Sequence, residues 1–211
     1  LEELALKKRI VGIVVCLFLI TTLIPCSVFA GDPDNPEIED EEGDPWGFFS
    51  YHPFLLKICK LIGLIDRESF DFIDIISAWF YENETSPDYL YVTMKCQDLA
   101  IVKMGSTYTI QWLYNGTKWF ASCKAYLRDN EYLTFYAGES RVVPLLNIQG
   151  WFSRDEKIVT YKIPKTLIGD PKRGDVLTHV HAITFVENPF GNIFGSAATD
   201  RAFGDNYVIH L

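Results

Sequence analysis

From residue 70 onward, apolar side chains recur at every second position. In YLYVTMKC, residues 89–96, Leu90, Val92, Met94 and Cys96 alternate with Tyr89, Tyr91, Thr93 and Lys95. A period of two places the first set on one face of a strand and the second set on the other. The run STYTIQWLYNGTKWFASCKAYL, residues 106–127, is broken once, by Asn115-Gly116. That dipeptide tolerates positive φ at both central positions of a tight turn and is the strongest short hairpin signal. A two-residue turn there pairs Tyr114 with Thr117, Trp112 with Trp119, Ile110 with Ala121 and Tyr108 with Cys123, all on one side. Further strands are predicted at 71–81, 131–137, 146–152, 157–163, 178–186 and 206–210. PKTLIGDPKRGD, residues 164–175, reads as one helical turn followed by a Pro/Gly loop. Strands at this density, rich in aromatic and β-branched residues, predict an all-β fold: an antiparallel, jelly-roll-like β-sandwich over residues 70–211.

The pattern before residue 70 is different. In residues 53–65, Leu55, Ile58, Cys59, Ile62 and Ile65 fall at helical spacing. They predict a short amphipathic helix starting after Pro53, within a linker over 46–69, that packs against the sandwich. Further upstream, Lys7, Lys8 and Arg9 precede the uncharged run 10–30, which ends in Ser27-Val28-Phe29-Ala30. A positive start, an apolar middle and a small-x-small end predict a signal peptide over 1–30 and a secreted or cell-surface location. An uncleaved membrane anchor is the alternative, because 21 uncharged residues can just cross a bilayer. Between them, residues 31–45 read as an acidic leader, with eight carboxylate side chains between 32 and 46.

Charge narrows the partners. The net charge of −9 repels nucleic acid and anionic lipid. Contact with a membrane is therefore expected only through an uncleaved N-terminal segment. Removal of residues 1–30 leaves Cys59, Cys96 and Cys123. Three thiols allow at most one internal disulfide. Cys96 and Cys123 are read on neighbouring strands, either bridged or buried as small apolar residues.

Candidate chemistry is sparse. No phosphate loop, dinucleotide fingerprint, nucleophile elbow or zinc-protease helix occurs. Asp40, Asp44, Asp71, Asp74, Asp98, Asp200 and Asp205 could furnish the oxygen ligands calcium needs, and Gly43 would allow a tight turn around the ion. A solvated leader with turn-capping aspartates is the competing reading. His179 and His181 alternate on a strand and present both rings to one face, but no third zinc ligand is linked to them. Among the aromatics, Trp112 and Trp119 share their face with Ile110 and Ala121 and read as core. Tyr89 and Tyr91 lie opposite Leu90 and Val92 and are the exposed candidates for a sugar-binding surface, together with Trp46. Asn83-Glu84-Thr85 and Asn115-Gly116-Thr117 are glycosylation sequons at predicted turns.

Three stretches carry a resemblance: DEEGDP with FDFIDIISAWFYENETSPDYLYVTMKCQDL, then VTYKIPKTLIGDPKRGDVLT, then TDRAFGDNYVI. Together they resemble secreted archaeal proteins that are similar to DOMON-type and family 9-like carbohydrate-binding β-sandwich domains. The resemblance spans residues 40–210. It implies a sandwich fold, sugar binding, and a structural calcium held by Asp40, Asp44 and Asp74 with Asp200. It implies no haem, because Met94, Met104 and the four histidines do not map onto the axial Met and His ligands of haem-binding members. The expected function is a non-catalytic surface or extracellular binding module with carbohydrate as ligand. A structural component of a cell envelope or filament, and a hydrolase with an unrecognised carboxylate pair, are the alternatives.

Overall fold

The computed structural model describes residues 31–43, 46–47, 71–99, 105–126, 132–140, 146–186 and 198–211. The amphipathic helix expected at 53–65 and the signal expected at 1–30 lie outside the described residues, as do Asp44, His52 and Cys59. Gly31–Leu211 forms one compact unit.

Thirteen strands are described: β1 (Ile38–Glu39), β2 (Trp46–Gly47), β3 (Ile75–Glu82), β4 (Tyr89–Cys96), β5 (Ser106–Tyr114), β6 (Thr117–Tyr126), β7 (Tyr132–Glu139), β8 (Leu146–Asn147), β9 (Gln149–Ser153), β10 (Ile158–Pro164), β11 (Val176–Val186), β12 (Ala198–Phe203) and β13 (Tyr207–Val208). They form two antiparallel sheets. The smaller runs β1-β3-β4-β10-β9; the larger runs β2-β12-β11-β5-β6-β7-β8, with β13 beside β11. This is the all-β sandwich that the alternation predicts.

The hairpin follows the predicted register, with Tyr114 opposite Thr117, Trp112 opposite Trp119, Ile110 opposite Ala121 and Tyr108 opposite Cys123. Asn115 (φ 49) and Gly116 (φ 74) make the turn. The inward residues fill the space between the sheets: Phe80, Leu90, Val92, Met94, Tyr161 and Ile163 from the smaller sheet, and Tyr108, Ile110, Trp112, Leu177 and Ala182 from the larger. Buried tyrosines need an acceptor. Tyr161 donates to the carbonyl of Tyr108 at 2.9 Å, and Tyr108 donates to that of Phe72 at 2.9 Å. Phe80 stacks on Tyr207 and meets Trp112 edge-on. Cys96 and Cys123 are both free and buried, which settles the bridging alternative. They stand on β4 and β6, in different sheets, and not on neighbouring strands as expected.

Several elements differ from the expectation: β12 (Ala198–Phe203) is a strand where none is predicted, and two boundaries shift. Ile38, the one apolar residue of the acidic stretch, is fully buried, and β1 pairs with β3. That stretch is therefore part of the sandwich. The strand predicted at 146–152 is divided: β8 pairs with β7 in the larger sheet, while β9 pairs with β10 in the smaller. The chain changes sheets at Ile148, whose amide donates to the carbonyl of Phe135.

Candidate binding face

Register fixes what the smaller sheet shows to the outside. Thr93 pairs with Thr160, and Thr160 with Trp151; Tyr91 pairs with Lys162, and Lys162 with Gln149; Tyr89 pairs with Pro164. Directly opposed residues share a face. Gly150 and Phe152 point inward, where Phe152 meets Tyr108 edge-on. A side chain on Gly150 would collide with the Phe135 ring, so the missing Cβ lets the two sheets close at this border. Trp151, between these two inward residues, is thrown outward and is 52 % exposed.

The expected aromatic candidates have separate fates. Tyr91 is only 8 % exposed. Its ring stacks on Tyr81 at 4.9 Å, so alternation alone misjudged its accessibility. Tyr89 is half-buried and carries the Lys162 ammonium 4.3 Å above its ring. The backbone of Trp46, in β2, pairs with Thr199 of β12; its side chain lies outside the described residues. Trp151 is one of five tryptophans that could supply a flat face, and the sequence reading does not single it out from the other four. The alternation Gly150-Trp151-Phe152 was the signal that could have found it.

Tyr89 also lines a cavity of about 420 Å³, together with Asp88, Pro164, Lys165, Asp170, Lys172 and neighbouring residues. Three segments build it, with Leu211 as a fourth contributor to its wall. The turn 83–88 joins β3 to β4. A 3-10 helix, Lys165–Ile168, follows Pro164 and ends at Gly169 in the left-handed conformation (φ 87). The loop beyond is held where Asp175 accepts from the Tyr114 hydroxyl and the Lys172 amide, both at 2.7 Å. That hydroxyl, followed by the amide, keeps the Asp175 carboxyl below its usual range. Lys165 is buried in an ion pair with Glu82 and also donates to the carbonyl of Leu211. Lys172 pairs with Asp170 at the surface. Both sequons lie in exposed turns at this same end. In one of them, Asn83 accepts from the amide and hydroxyl of Thr85.

The carboxylates expected to hold calcium collect at the opposite end. Asp74 accepts from the Gly43 amide at 2.7 Å; Asp200 accepts from the amides of Ile75 and Arg201, each at 2.7 Å. Asp40 is tied to β3 through its own amide, which donates to the Ile76 carbonyl. Burial, followed by the nearby Asp200 and Asp74 carboxylates, pushes the Cys96 thiol far up. Among the described residues, no three His, Cys, Asp or Glu side chains converge as a metal-binding group. Asp74 and Asp200 here accept amide hydrogens that lock the acidic opening and β12 onto β3.

His179 sits in a bulge of β11, with φ 52 and a register shift between Thr178 and His181. His181 takes up contact with its carbonyl and stacks on Phe203, which is 73 % exposed. Burial lowers the His181 pKa.

No protein-family model, no curated protein and no solved structure matches this chain.

Proposed function

We propose that the chain is an exported, non-catalytic binding module that takes carbohydrate on the β10–β9 half of its smaller sheet. The observation that carries this reading is Trp151. It is a large indole, half exposed, on a sheet whose inward neighbours are packed and which offers hydrogen-bonding groups beside it. An indole face covers the C–H face of a pyranose ring, while amides and hydroxyls meet the ring's polar rim. Gln149 stands exposed two residues away on the same face and supplies an amide, whereas Thr160, opposite Trp151, is buried with its hydroxyl against that of Thr93. From Trp151 to Tyr89 the face runs for roughly 16 Å, estimated from strand rise and strand spacing. That length suits an oligosaccharide better than a single sugar. The run of residues 7–30 that reads as a signal supports a location where such ligands are met.

The test is a glycan array followed by calorimetry on the chain without residues 1–30. Wild type retains at least one oligosaccharide class, and Trp151→Ala weakens that binding ten-fold or more without changing the melting temperature by more than a degree or two. An array with no retained glycan, or unchanged affinity in Trp151→Ala, overturns the reading. Concentration-dependent polymers in native mass spectra would point instead to an envelope or filament component.

A further inference from the structure

Resting on that reading, we infer that the ligand of this face is an anionic polysaccharide, and that Lys162 is the residue that selects it. The chain as a whole is acidic, with net charge −9. Its outward positions on β4, β10 and β9 are not. They are Tyr89, Tyr91, Thr93 and Lys95; Ile158, Thr160, Lys162 and Pro164; and Gln149, Trp151 and Ser153, of which Tyr91, Thr93 and Thr160 are buried between their larger neighbours. None is a carboxylate and two are lysines. Lys95 is exposed, and its row lies on one side of Trp151's row, with the Lys162 row on the other. The two lysines are about 14 Å apart along the sheet by strand geometry. A stacking ring between two cations suits a chain of sugars carrying repeated negative charge.

Lys162 is also positioned. Its ammonium stands 4.3 Å from the centre of the Tyr89 ring and 5.9 Å from that of Tyr91. The electron-rich ring faces hold the cation in place, so less side-chain freedom is lost when a ligand arrives. The same contact occupies a face of Tyr89 that could otherwise have stacked on a neutral sugar. Beyond Tyr89, Lys165 is matched by Glu82 and Lys172 by Asp170; at the other end the β9–β10 turn exposes Asp155 and Glu156 beside Arg154 and Lys157, so it adds no net charge to the track. Asp88 lines the cavity beyond Tyr89, where it repels an anionic chain and marks the limit of the charged track at that end. An acidic polymer is repelled by most of this protein's surface, which makes the basic track the surface it can use.

Matched pairs of probes isolate the charge. Polygalacturonate is compared with its methyl ester, and dextran sulfate with dextran, by calorimetry at 50 mM and 500 mM salt. One charged member binds at least ten-fold tighter than its neutral counterpart at low salt, and the preference shrinks several-fold at high salt. The first pair reports carboxylate as the source of charge, the second sulfate. Lys162→Gln removes the preference, Lys162→Arg keeps it, and Trp151→Ala weakens both members of the bound pair. Equal binding of a charged probe and its neutral partner, or a preference that survives Lys162→Gln, overturns this inference and leaves the carbohydrate reading standing. Failure of all four probes together with an empty glycan array overturns both.

Discussion

Glu37 stands where β1 has run out of backbone to pair with β3. Register ends at Ile38 opposite Ala78, and the next free amide along that edge, Phe80, is met by the Glu37 carboxylate at 2.8 Å. Burial raises the Glu37 pKa from 4.5 to about 7, opposed by that amide and reinforced by Asp32. A group whose folded-state pKa is raised contributes stability that is fully present below its unfolded value and lost as pH climbs through the folded one. The window is therefore pH 4.5 to about 7. Thermal melts should show wild type losing a few degrees across that window relative to Glu37→Gln, which keeps an acceptor for Phe80 without the ionisation. Parallel curves for the two proteins would remove the assignment. Gly204 supports the same edge. A Cβ there would lie 2.1 Å from the Glu37 carbonyl oxygen and 2.5 Å from the Ile38 side chain. Backbone cannot retreat as a flexible side chain can, so Gly204→Ala should cost about 1–3 kcal/mol in urea unfolding. A cost near zero would mean that β1 can detach freely.

At the scale of elements, legibility followed the strength of alternation. The β5–β6 hairpin was legible to the residue pair, because a fixed turn and an unbroken period of two leave one register, while β4 was legible in its alternation of faces but not in its partners. β12 was not. It sends Asp200 and Ala202 inward and Arg201 and Phe203 outward, so its buried face holds a carboxylate and its exposed face a phenyl ring. The reason is local: Asp200 is buried to take the Ile75 amide, a tertiary demand with no periodic trace. β1 was hidden similarly, with Ile38 alone among acids. β9 was half legible, since its strand character was read but not its change of sheet. The site suffered accordingly. Tyr89 keeps part of the exposure that alternation assigns it, Trp151 is not singled out among the five tryptophans, and Tyr91 is assigned an exposure that the neighbouring Tyr81 removes. Alternation reports which face a residue takes; whether that face is open depends on residues distant in sequence.

For the whole molecule, the end that carries the cavity depends on a charge pair inside the sandwich. The side chains of Lys165 and Glu82 are 6 % and 0 % exposed. Glu82 also accepts from the amides of His210 and Leu211 and from the Tyr207 hydroxyl, while Lys165 donates to the Leu211 carbonyl. One buried carboxylate thus joins β3, the 3-10 helix and residues 210–211, and β10 continues directly into that helix next to Tyr89, which pairs with Pro164. Losing one partner leaves an uncompensated charge in low dielectric, which costs about 3–5 kcal/mol. Lys165→Met should therefore lower the unfolding free energy by that amount in urea titrations. It should also loosen the cavity wall, since the Lys165 amide that bonds the Asp88 carbonyl loses its anchor. The double variant Glu82→Gln with Lys165→Met leaves no buried charge and should recover part of the loss. A single variant as stable as wild type would show that water reaches the pair and that the end is held by other contacts. If the single variant is destabilised yet binds sugar normally on the Trp151 side, the cavity and the flat face are separate surfaces, and the ligand track ends at Lys162.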